Sequence, residues 1–331
     1  MQFLSDNAAP VHSAVWDAMR AADAADTPYD TDALSRELDA RFSSLFEREC
    51  AAMWVATGTA ANCLALASMV EPHGGVICHE EAHIEMDECG APGFYLHGAK
   101  LLPAKGEGAK LTPGDIRQVL SGITRGIHQV PAQAISITQA SEYGLVYSAK
   151  EIAAIAKLAA QYGLGLHMDG ARFANAVASL ACAPAQAAGP IDALSFGFVK
   201  NGGLGAEAIV VFDPEKAEIL RWRRKRAGHL QSKGRFLAAQ LLAMLDNDIW
   251  LANARAANTA AAMVAVGAGD RLIYPQQVNE LFVQMNPAER AALRKQGFSF
   301  YDWNDASVRF VTSWATDPDH AAALGKAIAA L

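Results

Sequence analysis

Between residues 51 and 212, short apolar segments alternate with longer segments of helical periodicity, and this alternation restricts the fold more than any other feature. The predicted strands are "AMWVAT", "VIC", "KLLPA", "AISITQA", "GLGLHMD", "ALSFGF" and "EAIVVF". Strands that alternate with helices through short connections lie side by side in one sheet. The pattern therefore predicts an α/β fold with a mostly parallel sheet flanked by helices.

The segments between these strands carry helix start and stop signals. "SAKEIAAIAKLAAQYG" begins with Ser148 and Glu151 at the spacing of a capping box, and it ends before Gly163. In "TPGDIRQVL", Thr112 is the predicted N-cap and Pro113 the first helical residue. Residues 31–49 also show the apolar spacing of a helix.

The pattern changes after residue 214. Three helical stretches extend to about Ala268, and "NELFVQM", "FSFYDW" and "SVRFVTSW" then read as strands before a final helix. We therefore predict a large α/β domain over residues 1–250 and a small C-terminal α+β domain over residues 251–331.

Charge and composition exclude several classes of protein. The net charge of −7 disfavours nucleic acid as the main partner. No apolar run reaches the roughly 18 residues that a membrane span requires. The first ten residues, "MQFLSDNAAP", lack the basic start of a secretory signal, and the five cysteines show no disulfide framework. We therefore expect a cytoplasmic protein without membrane contact.

Three strand ends carry candidate functional residues, because ligands of open α/β sheets bind beyond the carboxyl ends of the strands. The first is "ATGTAAN", in which Gly58 and Thr59 stand where a strand meets a helix. Free amides at a helix N-terminus, with a hydroxyl beside them, bind phosphate. The alternative is a tight turn with a threonine cap.

The second strand end is "LHMDGARFANA". A carboxylate at the end of a core strand is costly to bury without a partner, so Asp169 is expected to have one. It either forms a salt bridge with Arg172, caps the next helix, or pairs with a cationic ligand.

The third strand end is "LSFGFVKNGGLGAEAIVVF", in which Lys200 precedes several glycines. Glycines allow the backbone to approach a ligand closely, and a lysine in an apolar cleft has a lowered pKa that suits covalent chemistry with an aldehyde. The alternative is an exposed loop lysine. Together, an amine, an acid and a phosphate site match the needs of pyridoxal phosphate.

Two further segments carry competing interpretations. His79 and His83 in "CHEEAHIEMDEC" have the spacing of a zinc-protease motif, but His79 closes a predicted strand, so we expect no metal site. The basic stretch over residues 221–235 reads as a solvated helix face, a nucleic-acid site or a source of cations for a neighbouring subunit.

The segments "HMDGARFANA" and "FGFVKNGGLGAEAIVVF", with "SDN" and "GTAAN" upstream, resemble the low-specificity L-threonine aldolases over essentially the whole chain. The resemblance implies the fold-type-I architecture of pyridoxal-phosphate enzymes in the aspartate aminotransferase superfamily. It also implies a lyase that cleaves L-threonine or L-allo-threonine to glycine and acetaldehyde. The implied assembly is a homo-oligomer, a dimer or a tetramer, with sites shared between subunits.

The resemblance assigns a role to each matching residue. Lys200 matches the lysine that binds the cofactor aldehyde, and Asp169 matches the acid on the pyridine nitrogen. His83 matches the histidine stacked on the ring, and His128 the second active-site histidine. Gly58 and Thr59 match residues that contact the phosphate. Ser5, Arg172 and Arg309 match groups near the substrate carboxylate and the phenolic oxygen of the cofactor. Tyr29 matches a tyrosine near the site that a neighbouring subunit often supplies.

The same residues allow several alternatives. The proton acceptor for the β-hydroxyl is His83, His128 or a water molecule. Lys225, Arg226 and Lys233 are candidates for reaching a neighbour's phosphate. Thr138 and Gln139 differ from the Glu-Asn of several relatives, which leaves a preference for bulkier substrates such as phenylserine open. An aminotransferase, or an enzyme like serine hydroxymethyltransferase, is the competing class.

Overall fold

The computed structural model describes all residues from 1 to 331. Its main sheet has seven strands in the order β1-β7-β6-β5-β4-β2-β3, and β7 is the one strand that runs antiparallel to the other six. All seven predicted strands are present, and the α/β prediction is confirmed. The strands are β1 (Ala51–Val55), β2 (Gly75–His79), β3 (Lys100–Ala104), β4 (Ala132–Thr138), β5 (Gly165–Gly170), β6 (Ala193–Phe196) and β7 (Glu207–Val211).

Helices cover both faces of this sheet. Trp54 of β1 faces a large core shared with helices before and after the sheet, whereas its neighbour Val55 faces a second core. Successive residues of a strand point to opposite faces of the sheet, and here both faces are covered. Apolar residues therefore occupy both faces, which explains the continuous apolar runs in the strand sequences. The helices are α1 (Ser13–Ala21), α2 (Ala33–Phe46), α3 (Gly58–Ala67), α4 (His83–Met86), α5 (Ala91–Tyr95), α6 (Pro113–Ser121), α7 (Ala149–Tyr162), α8 (Phe173–Leu180), α9 (Pro184–Ala188), α10 (Pro214–Arg226), α11 (Arg235–Leu245), α12 (Ile249–Ala268), α13 (Pro287–Lys295) and α14 (Pro318–Ala329).

The capping residues read from the sequence take the expected positions. Ser148 caps α7 and exchanges hydrogen bonds with Glu151, and Gly163 ends the helix in the left-handed conformation with φ of 66°. Thr112 forms the corresponding box with Asp115 at the start of α6. These local patterns need no tertiary contacts, which is why the sequence identifies them.

A smaller unit follows the main sheet. Strands β8 (Glu280–Gln284), β9 (Tyr301–Asn304) and β10 (Ser307–Val311) form an antiparallel sheet in the order β8-β10-β9, packed with α12 and α14. Phe3 belongs to this core, and its backbone N–H donates to the carbonyl of Ser299 at 2.8 Å. The first residues of the chain therefore join the smaller unit, and the boundary near residue 250 stays a prediction.

None of the helices is both long and apolar enough to cross a lipid bilayer.

Candidate active site

A cavity of about 300 Å³ lies at the carboxyl ends of β4, β5 and β6, beside the N-terminus of α3. This is the position at which open α/β sheets bind ligands, and the volume is that of a small-ligand site. Six of the ten predicted site residues line it, although the chain separates them widely. These residues are Gly58, Thr59, His83, Asp169, Arg172 and Lys200.

Lys200 lies in a single 3-10 turn, Val199–Asn201, shortly after β6. The preceding Gly197 passes so close to the turn after β5 that a Cβ there would lie 2.5 Å from the carbonyl oxygen of Ala171. Only glycine fits this approach, which brings the lysine segment against the segment that carries Asp169. The lysine side chain forms no salt bridge and lines the cavity.

The N-terminus of α3 presents amides to the cavity. Thr57, not Thr59, is the cap: its Oγ1 accepts a hydrogen bond from the N–H of Ala60 at 3.1 Å. The threonine-cap alternative is thus correct for the turn, but it involves a different residue from the predicted phosphate contact. The first-turn amides of Gly58 and Thr59 have no acceptor within the helix, so they remain available to an anion.

Asp169 is buried at the end of β5 and does not pair with Arg172. Its Oδ2 accepts a hydrogen bond from Asn62 Nδ2 at 2.8 Å, and its Oδ1 accepts one from the N–H of Ala171 at 2.9 Å. Neither partner carries a charge. The carboxylate therefore has no cationic partner within the chain. It is available to pair with a cationic ligand, which is one of the alternatives predicted from the sequence.

Arg172 is bound by carboxylates from both ends of the chain. Its Nε and Nη2 donate to Asp6 at 2.8 and 3.0 Å, and its Nη1 lies 3.0 Å from Glu280 Oε2. Burial would lower the pKa of Arg172, but Asp6 and Glu280 outweigh this and raise it above the ordinary value. The guanidinium stays charged at the cavity wall.

His83 is the first residue of α4 and is held by a buried carboxylate. Its Nδ1 lies 2.9 Å from Glu88 Oε1, which also accepts a hydrogen bond from Asn62 Nδ2 at 2.9 Å. The hydrogen bond with Glu88 raises the pKa of His83, although burial opposes it. Asn62 thus connects Asp169 and Glu88, a role that its position in the motif "GTAAN" did not indicate.

Two more carboxyl groups line the cavity, and no sequence signal identified them. Burial raises the pKa of Glu142 to about 7, and it raises the pKa of Glu207 to about 7 as well. Glu207 accepts hydrogen bonds from the amides of Phe198 and Val199, so it fixes the backbone just before Lys200. Glu142 follows β4 and contacts Thr138.

Four predicted site residues do not line the cavity of their own chain. His128 is exposed in the turn before β4, at the opposite end of that strand. Tyr29 is also exposed, and the ammonium of Lys225 lies 4.5 Å from its ring centroid. Ser5 caps a short turn next to Asp6, and Arg309 Nη1 lies 3.9 Å from Glu280 Oε1. Ser5 and Arg309 therefore lie beside the carboxylates that bind Arg172, and not at the cavity itself.

The histidine pair does not form a zinc motif. His79 ends β2, and its ring nitrogens contact the carbonyl of Gly106 at 2.9 Å and the amide of Glu81 at 3.0 Å. His83 begins a separate helix, so the two side chains do not share a helical face. No group of three or more histidine, cysteine, aspartate or glutamate side chains is arranged to hold a metal ion.

The basic stretch divides between α10 and the loop after it. Lys225, Arg226 and Lys233 are exposed. Arg224 is instead buried over the ring of Trp54, with its Nη1 3.0 Å from Asp30 Oδ2. The solvated face predicted for this stretch thus includes one arginine that belongs to the core.

The cavity residues fit pyridoxal phosphate. Lys200 offers an amine without a salt bridge, which suits the aldehyde of that cofactor. Asp169 offers a buried carboxylate without a cation, which suits the pyridine nitrogen, and the N-terminus of α3 offers free amides, which suit the phosphate. A Cβ added at Gly58 would meet no atom within 4 Å, so the phosphate end is open.

Comparison with known proteins agrees with this geometry. Residues 2–287 match the family model described as beta-eliminating lyase. A low-specificity L-threonine aldolase of Pseudomonas sp. (strain NCIMB 10558) is 42% identical over 324 residues, which is 96% of this chain and 93% of the relative. The solved structure of Leishmania major threonine aldolase superposes with a TM-score of 0.93 at 26% identity, covering 99% of this chain and 98% of the other.

A more distant neighbour shows the breadth of the fold. An aspartate aminotransferase of Rhodobacter sphaeroides superposes with a TM-score of 0.72 at 18% identity, covering 100% of this chain and 92% of that one. The fold and the cavity together define a fold-type-I, pyridoxal-phosphate-dependent enzyme. Within this class, the chain belongs to the beta-eliminating lyase family and, in that family, to the low-specificity L-threonine aldolases.

Proposed function

We propose that this protein cleaves L-threonine and L-allo-threonine to glycine and acetaldehyde with the help of pyridoxal phosphate. The observation that carries the proposal is the convergence of Lys200, Asp169 and the N-terminus of α3 on one cavity. Membership of the aldolase family supports the choice of reaction. When bound, the cofactor supplies a sink for the electrons of a bond broken at the α-carbon of an amino acid.

Each cavity residue has a proposed task in holding the cofactor. Lys200 binds its aldehyde, and Asp169 holds the pyridine nitrogen in its protonated form. The amides of Gly58 and Thr59 bind the phosphate at the helix N-terminus. His83 covers one face of the ring, and Glu88 orients the imidazole through Nδ1. Asn62 keeps Asp169 and Glu88 in fixed positions by donating to both.

The substrate carboxylate is the proposed ligand of Arg172, with Ser5 and Arg309 beside it. A guanidinium binds both oxygens of a carboxylate and cannot lose its charge at neutral pH. Asp6 and Glu280 hold Arg172 in place. Ser5 precedes Asp6 in the chain, and Arg309 shares Glu280 with Arg172, so both residues stand beside carboxylates that hold Arg172.

The active assembly is proposed to be a homo-oligomer, a dimer or a tetramer, in the cytoplasm. Tyr29 and His128 are exposed and lie away from the cavity of their own chain, as do the cations Lys225, Arg226 and Lys233. In a shared site, a neighbouring copy would supply the tyrosine and a cation for the phosphate. The cysteines all carry free thiols, which agrees with a reducing compartment.

The experiment is an aldehyde assay on the purified protein loaded with the cofactor. L-threonine, L-allo-threonine and phenylserine are supplied separately, without keto acid or folate. Release of glycine and aldehyde is the expected result, and the ratio of the rates defines the substrate range. Turnover that begins only after a keto acid or folate is added would contradict the proposal and indicate a transferase.

A further inference from the structure

Glu142 lines the cavity in the segment that follows β4, and part of its carboxyl group is already committed. Its Oε1 accepts hydrogen bonds from Thr138 Oγ1 at 2.7 Å and from the backbone N–H of His83 at 3.1 Å. These contacts fix the carboxyl plane between the end of β4 and the start of α4. The position of Glu142 is therefore set by two different elements of the site.

The other oxygen, Oε2, is buried and has no hydrogen-bond partner. Among the residues that line the cavity, only Asn62 and Glu142 have a buried side-chain oxygen without a hydrogen-bond partner. A buried carboxylate oxygen without a partner is unfavourable, so native structures rarely keep one without a purpose. A ligand hydroxyl in the cavity would supply the missing donor.

The other acids and bases of the cavity are less suited to accept a proton. Asp169 has both oxygens occupied, and Glu207 accepts two backbone amides. The hydrogen bond with Glu88 raises the pKa of His83, which favours its protonated form. Burial raises the pKa of both Glu142 and Glu207 to about 7, and Glu142 differs from Glu207 because its buried Oε2 has no hydrogen-bond partner. A group that titrates near neutral pH is suited to proton transfer.

We propose that Glu142 is a catalytic residue, whose Oε2 binds the β-hydroxyl of the substrate and accepts its proton as the Cα–Cβ bond breaks. This role rests on the proposed aldolase function. The O–H electron pair becomes the second bond of the aldehyde carbonyl, and the Cα–Cβ pair passes to the electron sink that the cofactor supplies. The Cα of glycine gains one proton in return, so no oxidant or reductant is required.

The decisive variant is Glu142→Gln, in which the amide oxygen can still accept from Thr138 and from the amide of His83. Its structural contacts are retained, whereas its ability to take a proton is lost. We expect the cleavage rate with L-threonine to fall by about 10²–10⁴-fold, the usual contribution of a general base. Glu85→Gln is the matched control, because it removes an exposed carboxylate from the adjacent helix and should leave the rate unchanged.

A second readout separates this role from a structural one. Glycine has no β-hydroxyl, so exchange of its α-hydrogen with deuterium in heavy water, followed by NMR, does not require the proposed step. Glu142→Gln should retain this exchange and the visible absorbance of the bound cofactor. Loss of exchange together with cleavage would overturn the proposal, because it would show that the substitution damages the whole site.

The remaining outcomes are also distinct. If Glu142→Gln cleaves threonine within a few-fold of the unaltered protein, Glu142 is not the acceptor, although the aldolase function stands. If the unaltered protein releases no aldehyde from any β-hydroxy amino acid, both proposals fail.

The pH profile gives an independent test through Thr138. Its hydroxyl lowers the pKa of Glu142, so Thr138→Val should raise that pKa. The acidic limb of the cleavage rate would then move to higher pH, and this shift is the readout, whatever the rate at the alkaline plateau. An acidic limb that does not move would contradict the assignment.

Discussion

Asp6 and Arg172 lie 166 positions apart in the chain, yet two hydrogen bonds of 2.8 and 3.0 Å join them in the wall of the cavity. The contact ties the N-terminal segment, whose Phe3 packs with the smaller unit, to the turn after β5 in the main sheet. Glu280 of β8 completes the pair from the smaller unit. One arginine therefore connects both units of the chain at the proposed substrate position.

Asp6→Asn should destabilise the protein, because it leaves a buried guanidinium with one fewer carboxylate. Breaking a buried ion pair typically costs about 3–5 kcal/mol, and the remaining Glu280 should keep the loss near the lower end. Urea unfolding measures the change. Asp17→Asn is the control, since its pair with Arg20 is more than 70% exposed and should contribute almost nothing. Equal effects of the two variants would contradict the special position of Asp6.

The same pair predicts a loss of stability in acid. Burial alone would raise the pKa of Asp6, but Arg172 and Lys200 outweigh it and hold the pKa below the ordinary value of 3.8. A lowered pKa contributes stability above pH 3.8 that is lost as the pH falls through the folded-state value. Asparagine does not titrate, so the variant lacks this contribution. The unfolding free energy of Asp6→Asn should therefore decrease less between about pH 5 and pH 3 than that of the unaltered protein.

Lys200→Ala should abolish both the visible absorbance of the covalently bound cofactor and nearly all aldehyde release. The reason is that no other lysine lines the cavity, so no second amine can replace it. Absorbance spectra of the protein after incubation with pyridoxal phosphate and removal of the excess provide the measurement. Lys157→Ala removes an exposed lysine on α7 and should behave like the unaltered protein. Near-normal cleavage by Lys200→Ala would refute the assignment.

Glu88→Gln should lower the pKa of His83, because the hydrogen bond with Glu88 is the main cause of its raised value. The raised pKa means that the pair stabilises the fold at low pH and that this contribution is lost as the pH rises through the folded-state value. NMR titration of labelled histidine, with His83→Asn used to assign the signal, measures the shift. An unchanged pKa would show that another group holds the imidazole.

Ser148→Ala tests a feature that the sequence alone identified. The substitution removes the N-cap of α7 and its hydrogen bond with the amide of Glu151, which should cost about 1 kcal/mol of unfolding free energy. Urea unfolding again provides the value. Since α7 covers the sheet away from the cavity residues, the aldehyde assay should give an unchanged rate. Loss of activity without loss of stability would be inconsistent with a simple capping role.

Local patterns determined much of this fold. The alternation of strands and helices, the capping box at Ser148 and the left-handed Gly163 depend on neighbours within a few residues, so the sequence was sufficient to predict them. The strand ends that carry Asp169 and Lys200 could be placed in the same way, because parallel strands of an α/β sheet end at one edge. The convergence of these residues on one cavity followed from topology.

Other parts of the site depended on contacts between distant segments. Nothing near Asp6 in the sequence indicates that it binds Arg172, and nothing near Glu142 indicates a buried carboxyl group at the cavity. Asn62 is part of the motif "GTAAN", yet its contacts with Asp169 and Glu88 form only when α3 packs on the sheet. Long-range packing also left His128 and Tyr29 on the surface.

The sequence by itself determined the order of the elements, their ends and the chemical groups that stand at the strand ends, because each of these depends on periodicity and local hydrogen bonding. Only the tertiary structure decided which charged groups share a site and how each carboxyl group is partnered. The physical reason is that burial and the field of neighbouring charges set a side chain's protonation, and both depend on residues that are far apart in the chain.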